Sequence, residues 1–199
     1  MASGVYTIKV LLIGDQGVGK TSLARTLTEG VFPIVDVLSA TGELCHQHTS
    51  NKDTTVRVGD NIYTIQIIDP HNEKVMTEHL SQVDICHLCF DISTPTSFDS
   101  ISRKWQSYIK QKSKVILVGL KSDLAYDKAT CQQLDSQGLR SISQEAGHCL
   151  ANKIKASQYI EVSALKYLGI EQLKDKTVFE FINQNAAHHI IGKTRCLIM

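Results

Sequence analysis

Gly14-Asp15-Gln16-Gly17-Val18-Gly19-Lys20-Thr21 is the stretch whose reading decides the fold. It satisfies G-x-x-x-x-G-K-[ST] at every fixed position, and its context supports the match. The apolar run Val5 to Ile13 before it reads as a buried strand, and Lys20 to Glu29 after it reads as a helix closed by Gly30 and Pro33. Between a strand and a helix, the glycines let backbone N–H groups turn inward around a phosphate. The helix start adds the positive end of its dipole to the same anion site. Lys20 then reaches the outer phosphates of a nucleotide, and the Thr21 hydroxyl ligates Mg²⁺.

Working outward, Thr54 to Val58 and Ile62 to Ile68 alternate in the strand manner around the turn Gly59-Asp60-Asn61, which predicts a hairpin. Ile85 to Phe90, Val115 to Val118 and Tyr159 to Val162 read as further short strands. Helical spacing marks 97–110 through Phe98, Ile101, Trp105, Tyr108 and Ile109, and helices are also expected over 143–153 and 170–185. Strands alternating with helices predict an α/β fold of the P-loop NTPase kind: a mainly parallel six-stranded sheet, helices on both faces, and ligands at the strand carboxyl ends.

The chain has 199 residues, 42% hydrophobic and 21% charged, which suits one soluble domain. We expect that domain over 1–185 and a tail over 186–199. A formal net charge of +1 gives no general attraction to nucleic acid. No signal peptide and no apolar run of membrane-spanning length is visible, and six scattered cysteines fit a reduced, cytosolic setting. Cys86-His87-Leu88-Cys89 lies in a predicted strand, where the cysteines read as small core residues; Cys45-His46-Gln47-His48 lacks a clear fourth metal ligand.

The phosphate loop does not choose a base, but Val118-Gly119-Leu120-Lys121-Ser122-Asp123 does. A carboxylate at Asp123 accepts from both N1–H and the exocyclic amine of guanine, whereas adenine offers no such pair of donors. The alkyl stem of Lys121 can lie along the base. Glu161-Val162-Ser163-Ala164-Leu165 ends the next strand, where a backbone N–H can hold guanine O6.

With these elements in this order, the chain resembles a Ras-superfamily small GTPase, most like the Rho/Rac family, over nearly its whole length. Ser97-Phe98 followed by Lys104-Trp105 is similar to the Rho third helix, and 125–143 is similar in placement to the Rho-type insert. The resemblance implies GTP/GDP and Mg²⁺ as ligands. It implies nucleotide contacts from Gln16, Gly17, Val18, Gly19, Lys20, Thr21 and Ser22, an aromatic edge from Phe32, and base contacts from Lys121, Asp123, Ser163, Ala164 and Leu165. Metal contacts fall to Thr21 and, through water, to Asp69. A first-switch threonine is matched by either Ser39 or Thr41.

Three stretches of the chain depart from the family pattern. Leu120 replaces the usual Asn or Thr of the base motif. Asp69-Pro70-His71-Asn72-Glu73 stands where the family has Asp-Thr-Ala-Gly-Gln, and Gln16 stands at a position that is glycine in most Rho proteins. Asn72 restricts a backbone swing toward the γ-phosphate. Glu73, the catalytic candidate beside Lys20, lacks the amide that orients water and brings negative charge toward phosphate oxygens. These changes predict slow GTP hydrolysis; the alternative is a nucleotide-locked module that binds effectors without cycling.

Cys196-Leu197-Ile198-Met199 fits C-a-a-X, with Cys196 as the prenylated residue and a Met that favours farnesyl. One prenyl chain predicts reversible, peripheral attachment to the inner face of the plasma membrane or an endomembrane. The implied partners are an exchange factor, effectors and a prenyl-binding dissociation inhibitor, with the chain itself a monomer and no nucleic-acid partner.

Overall fold

The structure, a computed structural model, describes residues 4–30, 32, 53–109 and 114–195, with side chains as far as 186. Six strands form one sheet: β1 (Val5–Ile13), β2 (Thr54–Val58), β3 (Asn61–Ile68), β4 (Ile85–Asp91), β5 (Lys114–Leu120) and β6 (Gln158–Val162), in the order β2-β3-β1-β4-β5-β6. Only β2 runs antiparallel, joined to β3 by the predicted hairpin, with Val58 opposite Asn61. β1 pairs in parallel with β3 on one side and β4 on the other, and β4–β5 and β5–β6 are parallel too.

Strand alternation sends the apolar side chains into two cores. On one face Ile8, Val10, Leu12, Ile116 and Val118 meet Leu23 and Leu27 of α1 (Lys20–Glu29) and Leu173 and Val178 of α6 (Ile170–Arg195). On the other, Leu11, Ile13, Leu88, Phe90 and Leu117 meet Met76 of α2 (Glu73–His79), Ile101 of α3 (Pro95–Arg103), and Leu150 and Ile154 of α5 (Gln144–Ile154). A central strand covered on both faces has no polar alternation, and all seven residues of β4 are buried. Cys86 and Cys89, three apart on β4, fall into opposite cores and cannot share a metal ion. Burial pushes the Cys89 thiol up to about 12, and it pushes buried His87, paired with Thr177 at 3.0 Å, down to about 3 and hence neutral.

The helices differ from expectation in four places. The helix predicted over 97–110 begins earlier, at Pro95, whose fixed φ suits a first turn, and its α-helical part stops at Arg103. A 3₁₀ turn, Trp105–Tyr108, continues it with tighter winding, burying Trp105 and packing Tyr108 partly against the same core. The insert-like stretch holds α4 (Lys128–Ser136), capped by the Asp127 side chain accepting from Thr130 N–H. α2 is an unexpected helix, and α6 runs on to Arg195 where an end at 185 was expected. Cys149 is exposed on α5. Among the described residues, no helix is long and apolar enough to cross a membrane.

A buried aromatic stack fixes how α5 meets the sheet. Tyr159 stacks on Phe90 with centroids 6.1 Å apart and lies so close to α5 that a Cβ on Gly147 would come within 2.2 Å of its ring. Gly147→Ala therefore overpacks a rigid contact. We expect it to cost about 1–3 kcal/mol and lower the thermal midpoint by roughly 3–10 °C, measured by calorimetry; an unchanged midpoint would contradict the packing described.

Candidate nucleotide site

The five parallel strands end on one edge of the sheet, and the residue that follows or closes each strand is polar or glycine. Gly14 follows β1, Asp69 follows β3, Asp91 closes β4, Lys121 follows β5 and Ser163 follows β6. The loop from Gly14 to Gly19 is shaped by steric necessity. A Cβ on Gly14 would come within 2.1 Å of the Cys89 carbonyl, and Gly19 caps α1 with φ at 113°, in the left-handed region. Lys20 curls back over the loop, donating to the carbonyls of Gly14 (2.9 Å) and Asp15 (2.7 Å). An ammonium parked on the loop's own carbonyls is free to exchange them for phosphate oxygens.

Thr21 Oγ1 donates to Asp69 Oδ2 at 2.6 Å, joining the first turn of α1 to the end of β3. A hydroxyl and a carboxylate meeting there supply the hard oxygen donors that suit Mg²⁺, which takes one or two such ligands and completes its shell with waters and phosphates. No group of three His, Cys, Asp or Glu side chains among the described residues can hold an ion unaided. The two donors fit an ion shared with a phosphate. Ser22 follows in α1 and is half-buried, Gln16 is exposed on the loop, and Val18 is buried under it in the core that holds Leu120.

At the other end, Asp123 sits in a 3₁₀ turn, Ser122–Leu124, and accepts from the buried Ser163 hydroxyl at 2.5 Å. Ser163 is itself fixed by paired backbone bonds with Leu168, both at 3.0 Å, and its Oγ accepts from Lys166 N–H. The turn that carries Ala164 and exposed Leu165 is thus rigid, and it leaves one oxygen of Asp123 outside the serine bond. Lys121 stands in the left-handed region at φ 58° and sends its ammonium to Gly17 O (3.2 Å) and Asp91 Oδ2 (2.6 Å). Phe32 is half-buried with no described neighbour before or just after it. Ser39, Thr41, the Cys45–His48 segment and Cys196 lie outside the described residues.

The second-switch stretch carries contacts that the sequence reading did not foresee. Asn72 is the N-cap of α2, extended at φ −151°, with its side chain accepting from Val75 N–H at 2.9 Å. Glu73 opens the helix, where a carboxylate complements the dipole. Lys104 forms an ion pair with its carboxylate, while Tyr108 Oη donates to its other oxygen at 2.9 Å. These donors hold the Glu73 carboxyl below its ordinary value, and the same contacts raise Lys104 and Tyr108. The neighbouring Trp105 indole donates to Asp15 Oδ1 of the phosphate loop at 2.7 Å and carries the Lys104 ammonium over its ring at 4.3 Å. The 3₁₀ turn after α3 therefore holds both the loop and the start of α2.

The sequence reading missed Asp91, the cap at Asn72, and the Lys104, Trp105 and Tyr108 contacts. An Asn three residues ahead of Val75-Met76 is a helix-start signal, and an Asp ending an otherwise apolar strand is another visible oddity. The contacts across 31 to 90 residues carry no local signal. Residues 9–183 match the model of the Ras family.

The Glu73 contacts have a pH consequence. A carboxyl held low in the folded state contributes stability that is present above its unfolded value and lost as pH falls through the folded one. Lys104→Met removes the first cause of the shift, so carboxyl NMR should find the Glu73 midpoint moved upward, toward the ordinary range. A midpoint that stays in place would show that the ion pair does not form in solution.

Proposed function

The chain belongs to the Ras family, and from that premise we propose that it binds GTP and GDP with Mg²⁺ as a signalling switch and hydrolyses GTP slowly. The observation that carries this reading is the shared carboxyl edge. There a phosphate loop, a Thr–Asp oxygen pair and a serine-braced aspartate follow one another across the sheet at the ends of β1, β3, β5 and β6.

Each residue has a role in that reading. The backbone N–H groups of Gln16 to Thr21 cradle the phosphates, and Lys20 moves from the loop carbonyls to the outer phosphate oxygens. Ser22 contacts the inner phosphate. Thr21 directly and Asp69 through water would hold Mg²⁺, which when bound would supply charge neutralisation on the phosphates. Asp123 reads the two guanine donors with the oxygen left by Ser163, while the turn at Ala164 and Leu165 offers N–H groups to O6 and Phe32 packs against the base edge. A base without those two donors leaves the Asp123 carboxylate unmet, which discriminates against adenine by large factors.

Slow turnover follows from three positions. Gln16 projects from the loop, Asn72 is committed to capping α2, and the Glu73 carboxylate is engaged by Lys104 and Tyr108. None of them offers a positioned amide to an attacking water. The reading extends to a Rho-like member with its insert at 125–143, prenylated on Cys196, peripheral on a cytoplasmic membrane face, and served by an exchange factor, effectors and a dissociation inhibitor. The Glu73 contacts also favour a second reading, a nucleotide-locked effector-binding module.

Single-turnover hydrolysis with preloaded GTP separates the two. Intrinsic rates in such proteins are on the order of 10⁻⁴ per second, and we expect a lower rate here, with Gln16→Gly/Asn72→Gly/Glu73→Gln raising it several-fold beyond any single change because the residues act as a unit. No measurable turnover in either protein favours the locked module. An unmodified chain that matches or exceeds ordinary rates contradicts slow hydrolysis.

A further inference from the structure

Asp91 is the last residue of a strand buried along its whole length, and its side chain is 5% exposed. A carboxylate there requires donors on both oxygens. Oδ1 accepts from the backbone N–H and the hydroxyl of Ser93, at 2.8 and 2.6 Å, and Oδ2 accepts from Lys121 Nζ at 2.6 Å. The backbone on either side is also held: Asp91 N–H donates to Ser97 Oγ at 3.0 Å. Asp91 is therefore a fixed charge with one direction of action, toward Lys121.

Lys121 needs such an anchor. Its side chain is 38% exposed, and its backbone lies in a region that L residues seldom occupy. From there the ammonium reaches Gly17 O in the phosphate loop at 3.2 Å, a long contact that a solvated lysine would give up readily. The preceding residue, Leu120, is apolar and sits in the core with Val18, so its side chain brings no polar tie to the loop. The Asp91–Lys121 pair opens on a small cavity that it shares with Asp15, Gln16, Gly17 and Thr94, placing the pair beside the loop's outer side.

We propose that Asp91 is a positioning residue of the nucleotide site: it holds Lys121 against the Gly17 carbonyl, locking the base-reading segment to the phosphate loop and slowing nucleotide release. This rests on the reading of the edge as a guanine-nucleotide site. The linkage runs from β4 through β5 to the loop, so a charge at Asp91 that never touches nucleotide sets how long nucleotide stays.

The test is GDP release from the full chain with Mg²⁺, followed with a fluorescent GDP chased by excess GDP, for the unmodified protein, Asp91→Asn, Lys121→Met and the double variant. Asp91→Asn keeps the shape and the bond from Ser93 N–H but loses the charge. We expect it to release GDP about tenfold faster (~1.4 kcal/mol) with a thermal midpoint within a few degrees of the unmodified protein. Because Asp91 acts through Lys121, the double variant should release no faster than Lys121→Met alone. Should Lys121→Met fail to fold with a buried carboxylate left unpaired, the double variant is compared with Asp91→Asn, and a further acceleration of no more than twofold to threefold is expected. Release from Asp91→Asn at the unmodified rate, or independent multiplication of the two effects, overturns the proposal while leaving the site reading intact. An unmodified chain that retains neither GDP nor GTP brings down both.

Discussion

Between Gly14 and the carbonyl of Cys89 there is no room for a side chain: a Cβ would stand 2.1 Å from that oxygen. This contact lets the chain leave β1 and turn tightly over the end of β4, which starts α1 directly above the sheet edge. Parallel pairing of β1 with β3 and β4 sends the carboxyl ends of all three strands toward one edge of the sheet, and β5 and β6 run the same way. Any residue larger than glycine would push the loop outward and separate Lys20 and Thr21 from Asp69.

From that edge the remaining polar structure is built by pairing. Thr21 with Asp69, Lys121 with Asp91, and Ser163 with Asp123 each join two elements. In the last two a buried group, Asp91 or Ser163, gains the partner without which its burial would be costly. The two halves of the site are linked through Lys121 and Gly17, while the 3₁₀ turn of Trp105 and Tyr108 ties the loop and α2 from the opposite side. The phosphate loop is thus held from both flanks, by an ammonium on one and an indole on the other.

Fold and phosphate loop were legible because their signals are local. A nine-residue apolar run, a glycine motif and a helix start lie within 29 residues, and short apolar runs together with the alternation of the hairpin placed all six strands within a few residues of their observed bounds. Asp123 and Ser163 were legible as motifs, though their mutual bond spans 40 residues. Glu73 and Asn72 were read from the family pattern as active-site substitutions; that Asn72 also caps a helix and Glu73 pairs with Lys104 was not legible. The residues that engage Glu73 lie 31 and 35 positions away, where no periodicity or spacing connects them. α4 was missed because Lys128–Ser136 carries only one buried position, Leu134, too few for a helical stripe.

The central claim is that one edge of the sheet reads guanine through Asp123 while holding phosphates at Lys20. Equilibrium competition against a fluorescent GDP, with GTP and ATP as rivals on the unmodified chain and on Asp123→Ala, tests it most directly. The account predicts that GTP displaces the label at concentrations at least a thousandfold below ATP, and that Asp123→Ala loses most of that preference, consistent with the large factors seen when a buried hydrogen-bonded recognition group is removed. Equal displacement by GTP and ATP, or a preference unchanged in Asp123→Ala, would contradict it.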